Sequence, residues 1–229
     1  MNFVIPTPEV ARLPVAGSKA FFPIRRVFCI GKNYTEHVRE MGGDPAREEP
    51  LFFTKPADAV VGPGASVPYP PGTSDLHYEV ELVAALGDSV PPGASETGVL
   101  ASVLAYGVGI DLTRRDLQAE AKKRGRPWDM SKAFDASALC SELHLASEIG
   151  HPGRGEIGLS CDGEVCQRDD IANMVWSLPD MLRELAKLIE LKAGDLVYTG
   201  TPSGVGPVER GQRLEVWVDG VDRAGWTLS

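Results

Sequence analysis

An α+β, mainly β domain is the fold class this sequence predicts, on three observations. Alternating or β-branched stretches outnumber helical ones. The helical patterns fall between them irregularly, without the β-α alternation of a parallel doubly wound sheet. The chain has 229 residues, 43% of them hydrophobic and 24% charged, which suits a soluble globule of one large domain or two small ones.

The elements justify that class in order. Pro6, Pro8, Pro14 and Pro23 cannot sustain a helix and predict an extended arm over residues 1–23. "RVFCIG" at 26–31 predicts a strand. "NYTEHVREMG" predicts a helix, with Tyr34, Val38 and Met41 at i, i+4, i+7 and Gly42 as its stop. His37 and Glu40, three apart, share a face of it. "LFFTKP" predicts a second strand, followed by a turn-rich stretch containing "GPG" and "PYPPG". "LAYGVGIDLT" predicts a buried strand that delivers Asp111 just before a helix over 113–125, with Thr113 as N-cap, Asp116 in its first turn and Gly125 as its end. Asp162-Gly163 predicts a hairpin turn in "GLSCDGEVCQ". "LPDMLRELAKLIELKAGD" predicts an amphipathic helix whose Leu182, Leu185, Leu188 and Ile189 form a core stripe. "DLVYTGTPSGVGPV" and "RLEVWVDG" add strands, and no repeat or linker divides the chain.

Composition excludes several functions. Lys and Arg number 23 against 32 Asp and Glu, a net charge of −9, so the basic footprint that nucleic acid requires is missing. Cys29, Cys140, Cys161 and Cys166 form neither a CxxC nor a Cys/His zinc pattern. "MNFVIPTPEV" lacks the basic and apolar regions of a secretory signal, which predicts a cytoplasmic protein with reduced thiols. The apolar run "VLASVLAYGVGI" is too short and too rich in glycine to span a bilayer, so no membrane partner is expected. "GTPSGVG" at 200–206 lacks the Gly-Lys-Ser/Thr ending of a phosphate loop, "GVGIDL" lacks a third glycine, and no serine sits in a Gly-x-Ser-x-Gly elbow. The 200–206 stretch is expected to be a tight loop presenting N–H groups and the hydroxyl of Thr199 or Thr201.

The chemistry-bearing residues are acids, a histidine and lysines. In "HYEVEL" a strand would place Glu79 and Glu81 on one face and Val80 and Leu82 on the other, with the glutamate Cα atoms about 6.6 Å apart. Such a pair fits a solvated face or a bound cation, and by itself does not choose. Adding Asp111 gives three carboxylates, a hard-oxygen set suited to Mg²⁺, Mn²⁺ or Ca²⁺. His37 beside Glu40 is a candidate base that a carboxylate orients and makes more basic. Lys55 and Lys132 follow apolar residues, which places them partly inside the fold or snorkelling to its surface.

Taken together, "CIGKNYTEHVREMG", "LFFTKPADAVVGPG", "LHYEVELVAALG", "GIDLTRRDLQAEAKKRGRPWDMSKAFD" and "LVYTGTPSGVGPV" resemble the fumarylacetoacetate hydrolase family, specifically its acylpyruvase branch. The motifs run in the family's order from about residue 24 to the end, and "VARLPVAGSKAFFPIRRVFCIGKNY" is similar to the fumarylpyruvate hydrolases of gentisate breakdown. The resemblance implies a mixed β-sandwich roll with a few inserted helices over 24–229, acting as the catalytic domain of a homodimer. It implies Glu79, Glu81 and Asp111 as ligands of Mg²⁺ or Mn²⁺, His37 and Glu40 as a water-activating dyad, and Lys132 as an active-site lysine. Lys55, Arg115, Gln118 and Thr201 fall at positions that line or anchor substrate. The activity it implies is hydrolysis of a carbon–carbon bond in a 2,4-diketo acid such as fumarylpyruvate. Oxaloacetate decarboxylation, broader acylpyruvase activity and a metal-dependent ligand-binding dimer without chemistry stand as alternatives. Arg26, Arg114 and Arg126 are the cations available for a distal substrate carboxylate.

Overall fold

The computed structural model describes residues 2–36 and 49–229. His37, Glu40 and most of the helix expected after Tyr34 lie outside the described residues. Among those described, a central mixed sheet runs in the order β4 (Leu51–Lys55), β3 (Arg26–Gly31), β15 (Asp195–Tyr198), β8 (Val80–Leu86), β9 (Val103–Asp111), β11 (Ala138–Cys140) and β5 (Val60–Val61), with β12 (His144–Leu145) also on β9. β3 pairs parallel with β15, and β11 with β5; the other pairs are antiparallel.

A second sheet, β14 (Glu164–Asp170), β13 (Glu156–Cys161), β17 (Arg213–Val218), β18 (Asp222–Leu228) and β6 (Ser66–Val67), packs over β8 and β9. A small sheet of β10 (Thr113–Arg114), β7 (Leu76–Tyr78) and β16 (Gly206–Pro207) closes one end. The expected mainly β sandwich roll is what the chain forms.

The central strands are buried on both faces, and their alternation separates two cores. Val80, Leu82, Ala84 and Leu86 of β8 join Tyr106, Val108 and Ile110 of β9 in the larger core, with Val216 and Trp226 of the second sheet. On the opposite face Val83 and Ala85 meet Val27, Cys29, Leu196 and Tyr198. The residues expected in the arm cover that face. Their hairpin of β1 (Arg12–Pro14) and β2 (Phe21–Pro23) buries Leu13 and Phe22 against it.

Helices fill the gaps. The helix Leu178–Leu188 starts at Ser177, whose hydroxyl accepts from the Asp180 N–H. It buries Leu178, Met181, Leu182, Leu185 and Ala186. Leu188, expected in that stripe, is 74% exposed; the helix ends there, and Ile189, in extended backbone at φ −151°, packs on the core in its place. The helix Arg115–Arg124 ends at Gly125 in the left-handed conformation, as expected, but its N-cap is Arg114 and not Thr113. Thr113 instead belongs to β10 and is fully buried. The Asp162-Gly163 turn joins β13 to β14 with positive φ at both residues, as a two-residue hairpin of that sequence requires. No helix among the described residues is long and apolar enough to cross a membrane.

Gly109 is the tightest point of the central sheet. It pairs with Glu81 on one side and Cys140 on the other. A Cβ there would come within 2.4 Å of the Leu139 carbonyl oxygen and 2.9 Å of the Tyr198 ring, and Tyr198 Oη donates to that same carbonyl at 2.9 Å. Gly109→Ala is therefore expected to lower stability by about 2 kcal/mol, the usual cost of overpacking a core, as read from urea unfolding monitored by circular dichroism.

Candidate metal and substrate site

Glu79 stands at the break between β7 and β8, Glu81 is the second residue of β8, and Asp111 ends β9. The Asp111 N–H donates to the Glu79 carbonyl at 2.8 Å, so the two strand ends are stitched where their carboxylates meet. One oxygen from each of the three side chains lies within 4.8 Å of the others, and all three residues are buried. The strand alternation expected from the sequence thus does bring Glu79, Glu81 and Asp111 together, and not toward solvent.

Three cations answer them. Lys132, the last residue of the short helix Asp129–Lys132, donates from Nζ to Glu79 Oε2 at 2.7 Å, Asp111 Oδ2 at 2.7 Å and Thr113 Oγ1 at 2.6 Å. Lys55 Nζ lies 2.7 Å from Asp111 Oδ1 as an ion-pair contact and donates to the carbonyls of Leu112 and Lys132. Arg115 spans Glu79 Oε1 and Gln118 Oε1. Both lysines are buried and neither snorkels.

The charges shift one another accordingly. Burial pulls the Lys132 ammonium down, but Asp111 and Glu79 outweigh it and hold its pKa above the ordinary lysine value. It stays a cation and a hydrogen-bond donor, not a base. Burial pushes Glu79 up, yet Lys132 and Arg115 prevail and hold it well below the usual carboxylate range. Desolvation dominates at Lys55 and lowers it, against the opposing pull of Asp111.

Glu81 is the exception. The hydrogen bond given to it among the described residues comes from the Gly200 N–H, at 2.6 Å from Oε2. Burial first, then Asp111 and Glu79, push its carboxyl well up. Gly200 can aim its N–H there because it has φ +88° and no side chain; a Cβ would sit 2.6 Å from that of Asn33. A buried carboxylate that no ion pair answers among the described residues, beside two others, is the fit expected of a hard divalent ion such as Mg²⁺ or Mn²⁺. Glu79, Glu81 and Asp111 are the residues that could hold one.

The pocket over this cluster is lined by residues from six parts of the chain, among them Glu79 with Glu81 and Trp128 with Lys132. Gly31 and Lys32 come from the end of β3, Phe53 from β4, and Thr201 from the loop after β15. Arg115, Gln118 and Lys122 come from one face of the helix 115–124. Sequence reasoning missed Lys122, although its spacing of four from Gln118 and seven from Arg115 was a usable signal. It also missed Thr113, Trp128 and Phe53. Phe53 and Trp128 meet edge to face at 6.2 Å, with Lys132 over the first ring and Lys122 over the second. Of the two threonines expected from the "GTPSGVG" loop, Thr199 gives its hydroxyl to the Leu82 carbonyl, and Thr201 lines the pocket.

The three arginines considered for a distal carboxylate part company. Arg26 pairs with the fully buried Asp195, which also holds Arg25. Arg114 stacks on Phe134 and donates to the Met130 carbonyl. Arg126 lines a neighbouring cavity of about 390 Å³ that shares Phe53, Trp128 and Lys132 with the site.

Lys132→Met would leave the buried acids one cation short. It is expected to destabilise the metal-free protein by about 3 kcal/mol, as breaking a buried ion pair does, measured by urea unfolding in the presence of a chelator.

Comparison with known proteins places this geometry among relatives. Residues 26–225 match the family model described as fumarylacetoacetate (FAA) hydrolase C-terminal. The chain is 45% identical to a fumarylpyruvate hydrolase from Pseudomonas aeruginosa, solved with Mn²⁺ and pyruvate, with a TM-score of 0.95 and 99% of each chain covered. A putative fumarylpyruvate hydrolase from Burkholderia cenocepacia is 46% identical, with a TM-score of 0.93, covering 100% of this chain and 95% of that one. An oxaloacetate tautomerase from Escherichia coli (strain K12) is 38% identical over 205 residues, 89% of this chain and 93% of the relative.

Proposed function

The chain belongs to the fumarylacetoacetate hydrolase family, and from that membership we propose that it hydrolyses an acylpyruvate, fumarylpyruvate being the favoured substrate, to pyruvate and a carboxylic acid. The observation that carries this reading is the cluster of Glu79, Glu81 and Asp111 at a pocket that Glu79, Glu81, Lys132 and Arg115 line. The end-to-end likeness to a fumarylpyruvate hydrolase holding Mn²⁺ and pyruvate supports it. A cytoplasmic homodimer working in aromatic (gentisate) breakdown, with residues 24–229 as the catalytic unit, belongs to the same proposal.

Glu79, Glu81 and Asp111 would hold Mg²⁺ or Mn²⁺, which when bound supplies Lewis-acid polarisation of the 2-oxo acid end of the substrate. Arg115, with Gln118 and Thr201 in the same pocket, anchors and orients that anionic substrate, and Lys122 adds a second cation on the same helix face; Lys55, expected among these, lies wholly buried against Asp111 and holds that acid instead. His37, oriented by Glu40, takes a proton from water, and the hydroxide adds to the distal 4-carbonyl. The Lys132 ammonium, its three N–H groups given to Glu79, Asp111 and Thr113, lends its positive charge to the oxyanion that forms. Collapse of that oxyanion breaks the C3–C4 bond and leaves its electron pair on the enolate of pyruvate. Return of a proton to C3 completes pyruvate, and the acyl part departs as the acid.

A second reading, oxaloacetate tautomerisation, is favoured by the name of the Escherichia coli relative. It needs only a proton moved between C3 and the enol oxygen, with no attack by water. One assay separates the two. Fumarylpyruvate with Mg²⁺ or Mn²⁺ is expected to give pyruvate and fumarate in equal amounts, and chelation to stop it. Ketonisation of oxaloacetate enol without pyruvate, and no turnover of fumarylpyruvate, would replace hydrolysis by tautomerisation; pyruvate and carbon dioxide from oxaloacetate would indicate decarboxylation. His37→Ala is expected to lower kcat by about two to four orders of magnitude, the range for a general base, while metal binding by titration calorimetry is unchanged.

A further inference from the structure

Gln167 is buried to 1% exposure and is the one fully buried residue of β14. It is turned inward at a β-bulge. Ser160 pairs with Val165 but Leu159 pairs with Gln167, so Cys166 is the extra residue, and the strand's alternation shifts by one at that point. The loop after β15 closes on the bulge. Gly204, with φ +88°, lets the Cys166 carbonyl oxygen approach to 2.3 Å of where a Cβ would be. The bulge and this contact bring the Gln167 amide against both the pocket loop and the glutamate strand.

Its three hydrogen bonds admit one orientation of the amide. The Val80 N–H, between Glu79 and Glu81, can only donate, so the oxygen Oε1 faces it at 2.9 Å. The Pro202 carbonyl can only accept, so Nε2 faces it at 3.0 Å. The second hydrogen of Nε2 then goes to Thr201 Oγ1 at 2.8 Å, and Thr201 must accept. A hydroxyl that accepts there keeps its own proton for another acceptor, and none among the described residues takes it. Thr201 lines the same pocket as Glu79, Glu81 and Arg115.

We propose that Gln167 is a positioning residue that fixes the direction of the Thr201 hydroxyl, so that Thr201 donates its proton to an anionic oxygen, carboxylate or enolate, of the molecule bound in the pocket. This rests on the proposed substrate class but not on which reaction follows. The same amide also ties the Val80 N–H to the Pro202 carbonyl of the pocket loop, a backbone contact whose loss is read in stability. Nothing in the local sequence announces it, since a glutamine in an otherwise exposed hairpin strand carries no motif.

The test is a double-mutant cycle on Gln167→Met and Thr201→Val, with Thr201→Ser as the conservative control. Thr201→Val is expected to lower kcat/KM by about 10- to 100-fold, the worth of one hydrogen bond to a charged group, and Thr201→Ser to restore most of it. Gln167→Met should lower kcat/KM to a similar degree in the parent and by less than about threefold in the Thr201→Val background, because the hydroxyl it directs is already gone. Its effect on thermal stability should be equal in both backgrounds. Should Gln167→Met not fold, Gln167→Asn, whose shorter amide reaches only one side, serves in the same cycle. Equal losses of kcat/KM in both backgrounds, or no loss from Thr201→Val, would overturn the proposal. The cycle is repeated on the dissociation constant of oxalate with the Mn²⁺-loaded protein, which requires no turnover. If neither fumarylpyruvate nor oxaloacetate is a substrate, the functional reading falls, and the oxalate cycle alone decides the role of Gln167 by the same two outcomes.

Discussion

Everything in this site depends on keeping three carboxylates close together out of water. Like charges at such separations are unstable in a low-dielectric interior unless each is answered. Lys132 bridges Glu79 and Asp111, Lys55 faces the other oxygen of Asp111, and Arg115 takes the other oxygen of Glu79. Among the described residues, the acid left with a neutral donor is Glu81. The three cations thus pair two of the acids and leave the third without an ion pair among the described residues.

The fold serves that arrangement through alternation. β8 and β9 are apolar on the face under the second sheet, and at one end of the other face the same alternation presents Glu81 and Asp111. The break after Tyr78 turns Glu79 to the same place. Gly109, opposite Glu81, leaves room for the Tyr198 ring and the β11 carbonyl to close the floor. Polar groups can be buried here because backbone groups and aromatic faces, not solvent, take up their remaining valences.

Much of this was legible in the sequence, and most of what was not shares a cause. The spacing of Glu79 and Glu81, Asp111 at a strand end, and Arg115 with Gln118 on a helix are local patterns, and the structure assembles them as local patterns predict. Thr113 was read as an N-cap because threonine before a helix usually is one; a lysine nineteen residues on claims its oxygen instead. Arg26, counted as available for substrate, is committed to Asp195, 169 residues away in sequence. Gln167 depends on a bulge and on a loop that meets it from another part of the chain. These three are contacts between distant segments, on which residue spacing is silent, whereas Lys122 lay within reach of helical spacing. The mainly β class and the core stripe of the helix 178–188 were readable for the opposite reason, and Leu188 fell outside because the helix ends there and Ile189, in extended backbone, takes the place on the core.

The place of β15 in the central sheet bears on how the molecule is made. That strand comes from residues 195–198, yet it lies between β3 and β8, both from the first 86 residues. It also carries Asp195, which clasps Arg25 and Arg26 at the root of the N-terminal hairpin. During synthesis the first strands leave the ribosome with an empty lane between them and must wait for nearly all of the remaining chain before it is filled. Closing so long a loop is slow by its nature. The early strands therefore pass through a period with unpaired edges, in which other chains compete for the same hydrogen bonds.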